Sequence, residues 1–245
     1  MNLLLVDQSQ VSQKRITLEG RQAKHCLQVL KVKPGSTIRA GVINEGKCSA
    51  SVLAIDGDKI DISLGELHPE TPPTLSIALA LPRPKALSRI VSALASFGVH
   101  QIFLINAWRV ERSYFSSPRL FPERLKEDLW LGCEQGAQTW LPSIRIVDSF
   151  RRFVEDVEPQ QFSNATQRIL FHPGGHLRLN HALKNAESKA ALFAFGPEGG
   201  FVKEELLSWE KAGYSRVDLG TGPLQTGVAI NAAMGQFALL KGIIR

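Results

Sequence analysis

The sequence predicts an α/β protein in two parts, a small β-rich domain over residues 1–72 and a larger parallel-sheet domain over residues 73–245. Three features carry this expectation. The first seventy residues read as short strands between turn triplets. The rest alternates apolar strands with amphipathic helices, the pattern of a sheet covered on both faces. Between the two lies the polar, proline-containing segment His68-Pro69-Glu70-Thr71-Pro72-Pro73, which breaks both periodicities.

The strands expected in the first part are Leu3 to Val6, Arg15 to Leu18, Thr37 to Ala40, Cys48 to Ile55 and Lys59 to Leu64, with one helix near Gly20 to Val29. Lys33-Pro34-Gly35, Asn44-Glu45-Gly46 and Asp56-Gly57-Asp58 supply the turns, the last two with residues that tolerate positive φ. In the second part the strands are Leu75 to Leu81, Gln101 to Asn106, Ile144 to Val147, Arg168 to His172, Ala191 to Phe195 and Arg216 to Leu219. The helices are Lys85 to Phe97, Pro122 to Thr139, Lys203 to Ala212 and Thr226 to Lys241. In such sheets ligands bind beyond the C-terminal ends of the strands, so the loops there are the place to look for chemistry.

Bulk composition is that of a globular protein, with 44% hydrophobic and 21% charged residues in 245. Apolar runs such as Ala190 to Phe195 are far shorter than the roughly 18 residues of a membrane span. The N-terminus has no basic segment before a long apolar one, so a cytoplasmic protein is expected, with no membrane partner. Cys26, Cys48 and Cys133 are odd in number and widely spaced, which points to buried reduced thiols. The histidines show no zinc-ligand spacing, so no metal is expected. No G-x-S-x-G elbow, phosphate loop or H-E-x-x-H motif is present.

Net charge is +6, and its location is more informative than its size. Residues 1–70 are nearly neutral, with nine basic and eight acidic side chains. Residues 83–126 hold Arg83, Lys85, Arg89, Arg109, Arg112, Arg119, Arg124 and Lys126 against Glu111 and Glu123, which equals the whole excess. A basic surface there suits a polyanion.

Two strand-ending loops stand out. Gly196-Pro197-Glu198-Gly199-Gly200-Phe201 follows an apolar strand, and its glycines allow close backbone approach to a ligand. The other reading is a tight strand-to-helix turn. The second loop, Asp218-Leu219-Gly220-Thr221-Gly222, superficially resembles the acidic, glycine-rich first loop of the Rossmann-type methyltransferases and is one residue type away from a G-x-G-x-x-G fingerprint, with Gln225 at the last position. Only 23 residues follow Gly222, so this loop closes a fold and does not open one.

Together these loops, a second strand ending in Leu219-Gly220 and a final apolar helix resemble the RsmE-type ribosomal RNA uridine-N3 methyltransferases of the SPOUT superfamily. The resemblance covers almost the full chain. Residues His25 to Gly35, Lys85, Phe97-Gly98-Val99, Glu111-Arg112-Ser113 and Glu134-Gln135 followed by Pro142 match in the family's order, and Gly196 to Phe201 is the most specific match. The resemblance implies a trefoil-knotted α/β catalytic domain behind a small PUA-like β-barrel, a homodimer, S-adenosyl-L-methionine as cofactor, and ribosomal RNA or the small ribosomal subunit as partner. It implies cofactor contacts from Leu170, Phe171 and His172, from Gly196, Pro197, Glu198, Gly199 and Gly200, and from Leu219, Gly220, Leu224 and Thr226.

Arg112 is the candidate for substrate or transition-state charge and Glu134 for orientation or proton handling, with a surface ion pair and a helix-face charge as the plainer alternatives. Lys31, Arg83, Lys85, Arg89 and Arg112 are the candidate RNA contacts. The family pattern Leu-Arg-Thr-Glu-Thr-Ala reads Leu224-Gln225-Thr226-Gly227-Val228-Ala229 here, so Gln225 stands where an arginine is usual. Ala93, Ser96 and Gln138 likewise replace charged residues of the pattern. The expected activity is N3-methylation of a uridine in 16S ribosomal RNA; the alternative is a re-targeted or non-catalytic RNA-binding or ribosome-assembly protein derived from the enzyme.

Overall fold

The computed structural model describes residues 2–183, 190–220 and 222–242. The chain divides into two compact units: Met1–Pro73 with Leu94–Gly98 and Leu129–Leu141, and Thr74–Ala93 with Val99–Asp128 and Pro142–Arg245.

In the first unit, β1 (Leu4–Val6), β2 (Arg15–Leu18), helix α1 (Gly20–Gln28), β3 (Thr37–Val42), β4 (Gly46–Asp56), β5 (Lys59–Leu64) and β6 (His68–Pro69) follow in chain order. The sheet runs β1-β3-β4-β5-β2, with β6 beside β4. β1 and β3 are parallel, and the other pairs antiparallel. Alternation decides which face is buried: Ile16 and Leu18 lie opposite Ile62 and Ile60, all four in the core, while Arg15, Thr17, Lys59 and Asp61 face out. Ala23 and Cys26 put one stripe of α1 onto that core. Asn44, at φ +60°, makes the left-handed turn of the β3–β4 hairpin.

Residues 129–141 fasten this unit. The Glu134 carbonyl accepts the Asn2 and Leu3 N–H groups at 3.0 and 3.1 Å. Thr139 Oγ1 donates to Glu70 Oε2 at 2.8 Å, and Trp140 Nε1 donates to the Glu70 carbonyl at 3.1 Å.

The second unit begins with β7 (Leu75–Ala80), α2 (Pro84–Ser96), β8 (Gln101–Ile105), α3 (Pro122–Gly136) and β9 (Ser143–Val147). A helical run follows, made of α4 (Phe150–Arg152), a wide turn over Phe153–Val157 and α5 (Glu158–Gln161). Then come β10 (Gln167–Phe171), α6 (Leu179–Ala182), β11 (Ala191–Phe195), α7 (Lys203–Lys211), β12 (Ser215–Val217) and α8 (Thr226–Leu240). The sheet order is β12-β10-β11-β7-β8-β9, and every pair is parallel. From β7 the chain moves outward through β8 and β9, then returns to the other side of β7, so the C-terminal ends of β7, β10, β11 and β12 share one edge.

Three expectations from the sequence change. The helix expected to reach Thr139 ends at Gly136, because Ala137 takes φ +52° and Gln138 N–H bonds back to the Cys133 carbonyl. Gly136 itself sits where an added Cβ would lie 2.1 Å from the Ser96 carbonyl oxygen, so only glycine fits. The last strand ends at Val217 and not Leu219, because Asp218 N–H turns to the Leu177 carbonyl. The helical run over 150–161 had no expected counterpart; Phe150 and Phe153 anchor it with ring contacts to buried Trp209 at 5.2 and 5.9 Å. The three cysteines are free and buried, and burial pushes the Cys133 thiol up to about 12.

Candidate functional site

The ends of β10, β11 and β12 and the start of α8 enclose a cavity of about 300 Å³. Its apolar part includes the rings of Phe171 and Phe195, stacked 4.8 Å apart and 8° from parallel. Around it run Gly196 to Gly200 from one loop and Val217 to Leu219, Gly222 to Leu224, Thr226 and Ala229 from the other. His172 and Pro173 complete the wall. Gly200 has φ +71°, a conformation costly for any side chain, in the turn closed by its N–H bond to the Pro197 carbonyl. Thr226 Oγ1 reaches the Gly196 carbonyl at 3.5 Å and so links the two loops.

Side chains pin these loops from outside. Glu198 Oε1 accepts the Arg83 N–H at 3.1 Å, and the Arg109 guanidinium donates to the Gly199 carbonyl. Buried Glu205 accepts the Trp108 N–H at 2.8 Å on one oxygen and the Val202 N–H at 3.0 Å on the other. Asp218 accepts N–H groups from Gly220 at 2.8 Å and Gly174 at 3.1 Å. Those bonds, the Gly220 one foremost, hold its carboxyl below the usual range. Burial, with Arg216 nearby, lowers the His172 imidazole, which Asp218 opposes.

Most of the cofactor set named from the sequence comes together here: Phe171, His172, Gly196, Pro197, Glu198, Gly199, Gly200, Leu219, Leu224 and Thr226 line the cavity. Leu170 is fully buried inside β10, and Gly220 lies beside the wall with its N–H on Asp218. Thr221 lies outside the described residues. Gln225 precedes α8 as its cap, without a side-chain bond to the helix, and does not line the cavity. Arg112 opens an exposed 3₁₀ turn, Arg112–Ser116. Arg83, Lys85 and Arg89 are exposed at the start of α2, and Lys31 is exposed in the first unit.

Glu134 is elsewhere. It is 1% exposed in the first unit, paired to Arg21 at 2.7 Å and accepting from Gln22 Nε2 at 2.9 Å. Pro173, Phe195, Val217, Asp218, Gly222, Pro223 and Ala229 also line the cavity, outside the cofactor set expected from the sequence; only their adjacency to the strand ends and the two loops could have pointed to them. Among the described residues no group of three metal-ligating side chains forms, and no helix is long and apolar enough to cross a membrane.

Small residues, a flat aromatic surface and glycine backbone together suit a small ligand with a planar ring system held largely by main-chain groups. A sequence model described as the RNA methyltransferase domain matches residues 69–238. The chain is 29% identical over 243 residues to the ribosomal RNA small subunit methyltransferase E of Treponema pallidum, covering 95% of this chain and 89% of that protein. It is 25% identical to ribosomal RNA small subunit methyltransferase E 1 of Borreliella burgdorferi, covering 95% of each. Its fold matches the crystal structure of a ribosomal RNA small subunit methyltransferase E from Neisseria gonorrhoeae bound to S-adenosyl methionine, with TM-score 0.77, 19% identity and 98% of each chain covered.

Proposed function

Because the chain belongs to the RNA methyltransferase family, we propose that it is an S-adenosylmethionine-dependent methyltransferase of small-subunit ribosomal RNA, acting at N3 of a uridine. The observation that carries this reading is the cavity itself: nearly all the residues expected to hold the cofactor, drawn from three strand ends, line one pocket.

The residues present fit S-adenosylmethionine. Gly222 has open space where a Cβ would stand, and Gly200 meets nothing closer than His172 at 4.0 Å, so the loops leave room along their backbone. The Phe171 and Phe195 rings offer an apolar wall for a planar base. Bound there, the cofactor would supply a sulfonium methyl group: the N3–carbon bond would form as the sulfur–carbon bond breaks, S-adenosylhomocysteine would leave, and the N3 proton would pass to bulk water. The chain then has to orient the acceptor base and exclude water, and positioning of this kind is worth about 7–11 kcal/mol. We assign acceptor handling to Arg112 and to Gln225 beside Leu224 and Thr226, and RNA backbone contacts to Lys31, Arg83, Lys85 and Arg89. Glu134 is assigned to fastening the first unit, since Arg21 and Gln22 engage its carboxylate.

The finer architecture is part of the same proposal. The 172–178 segment wraps the end of β12 closely enough that a Cβ on Gly175 would lie 2.7 Å from the Val217 carbonyl carbon, and Gly174 and Leu177 bond to Asp218. This close packing of the segment after β10 on the end of β12 is the support for our reading of a trefoil knot with α8 threaded through it, a rare topology. The six-strand first unit with its alternating core supports a PUA-like barrel over 1–72 in front of a catalytic domain over 73–245. A homodimer in the cytoplasm completes the reading.

A second reading has two observations in its favour: no lysine or arginine is among the described residues that line the cavity, and Gln225 stands where the family pattern has arginine. A protein that binds the cofactor without transferring methyl groups would have this composition. Small ribosomal subunits from cells lacking the gene, incubated with labelled S-adenosylmethionine and the protein, are expected to acquire label at a single uridine. Cofactor binding by calorimetry with no label in RNA establishes the second reading instead.

A further inference from the structure

Trp108 is an outlier among the aromatic residues: its side chain is 81% exposed, whereas Trp209 is fully buried and Trp130 and Trp140 are half-buried. An indole left in water on a loose loop would be unremarkable, but this loop is fixed at two consecutive residues. The Trp108 N–H is bonded to the buried Glu205 carboxylate, whose other oxygen holds Val202, and the Arg109 guanidinium holds the Gly199 carbonyl. The loop after β8 is therefore tied to the loop that forms one wall of the cavity, at the same edge of the sheet.

The segment that carries the indole is predominantly basic, with Glu111 and Glu123 against eight lysines and arginines. Trp108 lies in the 83–126 stretch that carries the protein's whole excess of positive charge, and the next three positive side chains along the sequence are Arg109, Arg112 and Arg119. A rigidly mounted, exposed aromatic face among cations is what single-stranded nucleic acid needs, since bases stack on the ring while cations meet phosphates. We infer that Trp108 is a stacking platform for an unpaired nucleobase of the RNA substrate, flanking the nucleotide that enters the cavity. The inference rests on the proposed function and adds to it the requirement that the target lie in an unpaired stretch.

The test compares Trp108→Ala and Trp108→Phe with the wild type. Base stacking on an aromatic side chain is worth about 5- to 150-fold in affinity, so Trp108→Ala is expected to raise KM for small-subunit RNA by a factor in that range. Its affinity for S-adenosylmethionine and its melting temperature are expected to stay as in the wild type, and Trp108→Phe to recover most of the loss. Acrylamide quenching of the wild type, dominated by this exposed indole, is expected to fall when a single-stranded oligoribonucleotide is added and to be unaffected by a duplex of the same sequence. Equal KM for Trp108→Ala and wild type, with methyl transfer intact, overturns the inference and leaves the proposed function standing. A wild type that methylates no ribosomal RNA overturns the proposed function, and the inference with it. A shift of Trp108→Ala from dimer to monomer in sedimentation, at unchanged KM, assigns the indole to contact between copies and also overturns it.

Discussion

His172 and Asp218 show how burial and hydrogen bonding set charge at the cavity wall. Both groups are held below their ordinary values, the imidazole chiefly by burial and the carboxyl chiefly by the Gly220 N–H. Where the folded value lies below the unfolded one, the unfolded chain binds more protons, and stability rises with pH between the two. The His172 contribution is therefore complete above about pH 6.5 and is lost as pH falls through the lowered folded value. Asp218 contributes fully down to about pH 4 and loses its share below that. Melting temperature between pH 8 and pH 5 is expected to fall more steeply for the wild type than for His172→Gln; parallel curves would refute this. Glu134 illustrates a different point at the same scale. Its residue type and motif are visible in the sequence, but its engagement by Arg21 and Gln22, over a hundred residues away along the chain, is not. Truncation to Ala leaves Gln22 Nε2 with the Leu5 carbonyl alone and releases Arg21, which is itself half-exposed. The expected cost is about 1–3 kcal/mol by urea denaturation, with cofactor affinity little changed.

Strands and helices were legible wherever local pattern and packing agree. β2, β5 and β11 fall where the alternation or the apolar run places them, because a strand half or wholly buried needs that pattern. β9 departs from its expected character: it is the sheet edge, so Arg145 and Ile146, on opposite faces and the latter 43% exposed, both meet solvent in a strand that read as apolar. The run over 150–161 was not legible, because its order comes from Phe150 and Phe153 meeting Trp209, a partner more than fifty residues on. α8 offers a test of helix energetics apart from packing. Gly235 lies in its interior, and a Cβ there would meet nothing within 4 Å. Gly235→Ala is expected to stabilise the chain by about 0.5–1 kcal/mol, read as a higher melting temperature; a lower one would show that another surface approaches this face.

At the scale of the molecule, the two units are not two consecutive stretches of chain. Residues 94–98 and 129–141 cluster with the first unit, where Glu134, Thr139 and Trp140 bond to Asn2, Leu3 and Glu70. A fragment of residues 1–73 lacks these partners and is expected to unfold with low cooperativity well below the full chain. A sharp thermal transition for that fragment, as high as that of the full protein, would contradict the division. Salt is the second lever at this scale. With eight basic side chains over 83–126, RNA affinity is expected to fall with ionic strength, its slope near −0.7 per phosphate contacted on single strands.

Periodicity and turn triplets were enough to predict the alternation of elements and a parallel sheet, since strand and helix patterns depend on neighbours a few residues apart; the two glycine-bearing loops marked strand ends, and the cofactor residues were expected from the family resemblance. Residue types along the chain also carried the family resemblance. What neither pattern nor motif contained was which distant groups meet: Glu134 with Arg21 and not with the cavity, Gly175 against Val217, Glu205 holding the loop of Trp108. Those pairings arise when strands reorder in the sheet and bring remote segments within hydrogen-bond distance, and a carboxylate becomes a fastener or a participant in chemistry according to what then stands beside it.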